Sequence, residues 1–504
     1  MGARPIAFAV FVLVILLIGS VGTVRAQPAS PSSMPSAGLA PAYVAPAAAS
    51  PNLRGTRPVT GRLPSIPAAV VRSIEHGFPH GPRAVVGPMV EVNGSLDTLN
   101  AEVESAADPT TGYLYDLWIA NAGIGFARST NRGRSFEPAY LIPGSEDFVD
   151  PTNPNNVTSS WDPAIAVSSD GIVYAAFMDA NYSSNPAGSP YVSVSFDHGA
   201  SFSAARPVIL PPDTSFSDRP FLAVAPDGTV YLTWNYAPDA SLIQFLCAPG
   251  GSCSYASGDF NMVITRSRDH GRTWSHPNHV SPNYPRGGSL EGPIVIGRDG
   301  KIFVAFDAFP TAPDYTLSPG QEWFTSSRDG GRHWSKPFLL SGPYRVALQV
   351  WWIENTLAIS ESGVLYTAFD VQTARGDIGF VRYSKDDGVT WSPLIRATPD
   401  VDNAAHIMQL APGPRGDAYV AWLSNNTTNG AWAVYIASLS TKHGTVSPPV
   451  LVSPLLGDPN WWPGDTIGMA YLGHGTVSVS WGSQIDPLGQ NDGIFNVIVR
   501  HLRG

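Results

Sequence analysis

The sequence predicts an all-β protein, a β-propeller of four-stranded antiparallel blades, on three observations. Its composition favours short strands and tight turns, a strand-pair motif recurs seven times, and a different octad recurs between those pairs. Gly (49) and Pro (47) supply turns, and Trp (14), Tyr (18) and Phe (21) supply strand formers, while only 14% of residues are charged. No helical apolar spacing is evident beyond the N-terminus, so the chain of 504 residues reads as one repeat array rather than several mixed domains.

The strand-pair motif is an apolar run, a turn such as Asp-Gly, and an alternating run ending in an aromatic. Asp162 to Phe177 shows it with the turn at Asp170-Gly171. Further copies run from Arg219 to Trp234, Glu291 to Phe306 and Glu354 to Phe369, with weaker ones at His406–Trp422 and Asp465–Trp481 and a longer turn in Asn100–Trp118. These are read as the inner two strands of seven blades.

The octad is Ser-x-Asp-x-Gly-x-Thr-Trp. Its best copies start at Ser267, Ser327 and Ser384, with a looser one at Ser195 and a copy at Ser129 carrying Asn131 in place of Asp. A degenerate copy at Ser440 has Lys442 at the acidic position. The acidic positions Asn131, Asp197, Asp269, Asp329 and Asp386 are expected to accept backbone N–H groups within a hairpin turn. The Gly supplies a positive φ and the last aromatic buries beside the blade. Such copies, about 57 to 72 residues apart, join the outer two strands of each blade.

Seven inner pairs are followed by only six octads. The last blade therefore needs a fourth strand from the N-terminal side, expected between Arg83 and Val92, which closes the ring. Seven blades are predicted, with six as the alternative.

The octad resembles the Asp box, or bacterial neuraminidase repeat, and the chain is similar to the sialidase superfamily over its 83–504 region. The resemblance implies that the boxes are structural and lie opposite the ligand face. It also implies glycoside hydrolysis with an arginine clamp. The clamp pattern departs from the family: Ser217-Asp218-Arg219-Pro220 keeps Arg and Pro but lacks the Ile of Arg-Ile-Pro, and it falls in the third blade rather than the first. Arg286 and Arg345 lie in the loops leading to the next two blades.

Chemistry is expected at the starts of the inner strands, which encircle the mouth of the central channel. Asp162, Glu291 and Glu354 are the candidate catalytic carboxylates, one to protonate a leaving oxygen and another to act as nucleophile or base. Arg219, Arg286 and Arg345 would orient an acidic or hydroxyl-rich sugar, with His406 and Asp465 on the same rim. Trp161, Trp351, Trp352 and Trp462 would form stacking walls. The expected partner is a carbohydrate or glycoconjugate, processed by a sialidase-like hydrolase; the competing reading is a non-catalytic propeller that binds a glycan, peptide or protein. No cofactor is required, although a carboxylate ring could hold Ca²⁺.

The formal charge of −10 argues against nucleic acid as partner. Residues 1–26 read as an export signal: Arg4, the apolar run Ile6–Ile18, and an A-x-A-like site at Val24-Arg25-Ala26, with an uncleaved anchor as the alternative. No second segment is apolar enough to span a bilayer. Residues 27–82, rich in Pro, Ala and Ser, read as a disordered linker. The protein is thus expected outside the cytoplasm, where Cys247 and Cys253, the only cysteines, would close a short Gly-rich loop as a disulfide.

Overall fold

The structure is a computed structural model that describes residues 84–96, 100–149, 157–181, 185–210, 215–239, 244–247, 253–257, 261–280, 287–288, 291–310, 321–344, 355–373, 376–398, 406–424, 432–453, 464, 466–484 and 492–501. Residues 1–26 and 27–82, read above as an export signal and a linker, lie outside the described residues.

Seven antiparallel sheets of four principal strands form a ring, a seven-bladed β-propeller. Blade 1 holds Asn100–Ala107, Leu114–Ala120, Gly123–Ser129 and Tyr140–Leu141, and the later blades repeat this order from the channel outward. Blades 2 to 6 begin their inner strands at Val157, Phe216, Gly287, Asn355 and His406, and blade 7 at Gly468. In blade 7 the third strand, Asp492–His501, pairs with Ala84–Val86 and Val90–Glu91, so the ring closes with the chain's N-terminal side as expected.

The core lies between neighbouring blades, because the middle strands of each sheet are covered on both faces. One cluster joins Tyr174, Ala176 and Val192 of blade 2 to Val230, Leu232 and Trp234 of blade 3. The aromatics that end the second strands, Trp118, Trp234, Trp422 and Trp481, are among the largest fully buried side chains. At the closing joint Val90 and Val92 sit with Val103, Trp118 and Ile494. Among the described residues no helix is long and apolar enough to cross a membrane.

The octads form the turns they predict. In blade 3, Asp269 Oδ1 accepts the Thr273 N–H at 2.9 Å and its Oδ2 accepts the Thr273 hydroxyl at 2.6 Å, while Ser267 Oγ accepts the Gly271 N–H. Blades 2, 4 and 5 repeat this around Asp197, Asp329 and Asp386, and Asn131 serves in blade 1 through its carbonyl oxygen. Those hydrogen bonds hold the Asp269 carboxyl well below its usual range, at about 2.

The fourth octad residue also has φ near +60°, and in four boxes it grips the preceding blade. Arg132 donates to the Leu472 carbonyl, His198 Nδ1 lies 2.8 Å from Asp108 Oδ2, His270 Nδ1 lies 2.8 Å from the Tyr174 hydroxyl, and Asp387 pairs with Lys301. This adds directional bonds between blades to the apolar contact beneath.

Blade 1 meets blade 7 around Asp116, which has no exposure to solvent and accepts hydroxyls from Ser105 at 2.5 Å and Ser480 at 2.9 Å. Burial pushes its carboxyl up to about 7. A folded-state value above the unfolded one means the native chain holds the proton more tightly, so this group's contribution to stability falls as pH rises from about 4 to 7. Asp116→Asn keeps the shape and removes the charge. The variant is expected to melt about 3 °C or more above wild type at pH 8 and at nearly the same temperature at pH 5. Glu104, raised to about 8 by burial, adds a slope of the same sign that the variant retains. Parallel pH–melting curves for the two proteins would remove Asp116 as a source of the slope.

Candidate functional site

The turn joining the inner strands and the Asp-box turn both lie at one end of an antiparallel blade, so the inner strands begin at the other end, at the mouth. There the first three blades share an irregularity that the sequence did not announce. The ladder slips between Ala101 and Val103, between Trp161 and Ala164, and between Asp218 and Phe221. The displaced residues are Glu102, Asp162 and Arg219, with φ of 54°, 46° and 50°. Charged, non-glycine residues held in left-handed backbone at equivalent points of three blades cost conformational energy that the surrounding packing sustains, a pattern concentrated at functional sites.

Two of these bulges and the start of blade 4 converge. The Arg219 N–H donates to Asp162 Oδ2 at 3.2 Å, and Arg219 Nη1 lies 3.4 Å from Glu291 Oε1. Asp162, Arg219 and Glu291 are 6%, 6% and 3% exposed. Arg219 thus joins two carboxylates from its neighbouring blades, Asp162 through its backbone N–H and Glu291 through its guanidinium, and the ion pair offsets desolvation of Arg219 and Glu291. The Glu291 N–H donates to Asp307 Oδ1 at 2.8 Å, so an acidic residue of the second strand orients the start of the first.

Trp161, expected as a stacking wall, is 7% exposed and packs on Met178 and Ala180. Its indole N–H donates to Asp218 Oδ1 at 2.8 Å across the blade 2–blade 3 boundary. Among the described residues it buttresses the bulge carrying Asp162 more than it offers a face. Ser215 Oγ and Ser217 Oγ, on the strand leading to Arg219, are buried without a hydrogen-bond partner among the described residues, polar capacity that bound water or a ligand can take up.

Sequence reasoning missed Asp179 and Asp307. Asp179 lies opposite Ser160 in blade 2, accepts its hydroxyl at 2.8 Å, and is pushed up to about 6 by burial. For Asp307 a signal existed: the second strands carry Trp234-Asn235, Phe306-Asp307 and Phe369-Asp370, an aromatic followed by an amide or acid in three consecutive blades.

Glu354, Arg286, Arg345, Trp351, Trp352, Trp462 and Asp465 lie outside the described residues. His406 opens the inner strand of blade 6, and only its backbone is described. Cys247 and Cys253 face each other as Cα partners across an extra hairpin, Gln244–Cys247 with Cys253–Ser257, inserted between the second and third strands of blade 3; their side chains are outside the described set. Among the described residues no group of three or more His, Cys, Asp or Glu side chains is arranged to hold a metal ion.

Residues 217–446 match the family model of the BNR repeat-like domain. No curated protein matches the sequence. Among solved structures, a protein of unknown function from Dyadobacter fermentans is 17% identical with a TM-score of 0.47, over 72% of this chain and 100% of that one. A mutant of the NanB sialidase from Streptococcus pneumoniae is 10% identical, TM-score 0.47, over 89% and 98%. The Hadza microbial sialidase Hz136 is 17% identical, TM-score 0.43, over 77% and 73%. Each is a likeness of fold.

Proposed function

We propose that this BNR-repeat β-propeller, similar to the sialidase superfamily, is an extracytoplasmic glycoside hydrolase that processes glycans at the channel mouth. The observation that carries the reading is the buried Asp162–Arg219–Glu291 chain, built on strained backbone from three blades. Glycosidic cleavage needs one carboxyl that gives a proton and one that stays charged, set apart by their surroundings. Glu291, paired with Arg219, suits the charged role of nucleophile or base. Asp179, opposite Ser160 on the strand next to that of Asp162 and held near 6, suits the proton donor, because an acid works best with a pKa close to the working pH. Arg219 orients the substrate's acidic or hydroxyl groups. Glu354, a candidate second carboxylate from the sequence, lies outside the described residues.

A second reading, a propeller that binds a glycan without cleaving it, draws support from the burial of the ion pair and from Trp161 being capped by Asp218.

A panel of chromogenic sialosides and neutral glycosides separates the two. The hydrolase reading expects release of chromophore from one class, with turnover falling as pH rises through about 6, and loss of that alkaline limb in Asp179→Asn. Saturable glycan binding with no release from any member of the panel would leave only the second reading.

A further inference from the structure

At the opposite end of the ring, a groove of about 240 Å³ opens between blades 3 and 4. It exists because of one residue. In the other four well-formed boxes the fourth position carries Arg132, His198, His270 or Asp387, each reaching back to the preceding blade. In blade 4 that position is Gly330, at φ +75°, and a Cβ there would lie 1.9 Å from Arg266 Nη1. The space a side chain would fill is taken instead by the Arg266 guanidinium of blade 3.

Arg266 makes no side-chain hydrogen bond or ion pair among the described residues, and neither does Arg332 on the facing wall. His276, Ser275 and Asn278 complete the polar lining. Arg268, Arg272 and Lys336 stand exposed on the same two segments. The nearest box carboxylates, Asp269 and Asp329, have their oxygens engaged by their own turns. Asp269 and Asp329 stay ionised and Asp227 lies within Coulombic reach of Arg268, so the two segments carry an excess of positive charge, on a chain whose formal charge is −10.

We propose that this groove binds a sugar-borne carboxylate of an acidic polysaccharide, held between Arg266 and Arg332. Two guanidinium forks without internal partners are matched to a carboxylate. The volume is below that of a cleft for a whole drug-sized ligand, which suits one residue of a chain passing over the surface. Among the described residues no Trp, Tyr or Phe lines the groove and His276 is its one ring, fewer stacking platforms than single-stranded nucleic acid sites use. That the anion is carried by a glycan rests on the function proposed for the mouth; the preference for an anion does not. The groove would hold a polymer on the protein while the mouth works on another part of it.

Titration of the full chain with hexagalacturonate at low salt, with cellohexaose as the neutral control, tests this. Binding is expected for the acidic oligomer alone, weakened about tenfold or more in R266Q/R332Q. Gly330→Asp is a second variant that does not remove cations: it restores the side chain the other boxes carry and places a counter-ion on Arg266, so it is expected to abolish binding with no loss of melting temperature. Equal binding by wild type and G330D would overturn the proposal. So would equal binding of cellohexaose, tighter binding of a single-stranded oligonucleotide, or displacement of the hexamer by inorganic sulfate at the same molar concentration. Because chromogenic monosaccharide substrates do not span the two ends of the ring, their cleavage reports on the mouth alone, and failure of either site is read separately.

Discussion

Glu291→Gln is expected to lower turnover by about a hundredfold or more on whichever glycoside the wild-type chain cleaves, with a smaller change in KM. The substitution preserves shape and removes the charge that pairs with Arg219 at 3.4 Å. If Glu291 is nucleophile or base, the chemical step loses its electron pair while the substrate's other contacts remain. The same change strands Arg219, 6% exposed, without this counter-ion, and stability should fall as well. Melting curves therefore accompany the kinetics, and rates are compared well below both transitions. Arg219→Gln is the informative partner: it leaves Glu291 charged but unoriented, and should raise KM for acidic substrates more than for neutral ones. Turnover of Glu291→Gln within threefold of wild type would sink the catalytic assignment of that residue.

Removing residues 1–91 is expected to leave no cooperatively folded propeller, whereas removing residues 1–82 should not change the melting temperature. The longer deletion takes both closing segments, Ala84–Val86 and Val90–Glu91, from blade 7. It uncovers the length of Asp492–His501 as an unpaired edge and takes Val90, 1% exposed, out of the joint with blade 1. Each buried valine contributes about 2 kcal/mol, and with the lost ladder this approaches the 5–15 kcal/mol that holds an ordinary domain together. Calorimetry and size-exclusion chromatography on the two truncated chains decide it; matching sharp transitions would mean that three strands suffice in the last blade.

The architecture was legible because a propeller repeats local patterns. A strand pair and a turn octad each fold on their own stretch of chain, and seven pairs against six octads required a strand from elsewhere, which Ala84–Glu91 supplies. The mouth was legible only in outline. Asp162, Arg219 and Glu291 could be named as rim residues, but their union depends on the rotation between blades, which no local pattern encodes. The left-handed backbone of Glu102 and Arg219 runs against the preferences of those residue types, and nothing local marks Asp162 for it, so sequence reasoning assigns ordinary strand there. Asp179 escaped notice because its raised pKa arises from burial, which outweighs the lowering hydrogen bond from Ser160, and not from a motif. Trp161 was read by its residue type as a sugar platform, and the neighbouring blade's Asp218 gives it a supporting role instead.

The grips made by the fourth box residues have a bearing on how the ring yields under load. Arg132, His198, His270 and Asp387 bind neighbours like links passed hand to hand, so force on one rim is shared with the next. Gly330 omits that link on the Asp-box rim between blades 3 and 4, which are tied elsewhere by the Arg219–Glu291 ion pair and by the Thr233 hydroxyl donating to the Gly292 carbonyl. On the Asp-box rim this joint is fastened less than those gripped by the boxes of blades 1, 2, 3 and 5, so that rim can open there while the mouth stays tied.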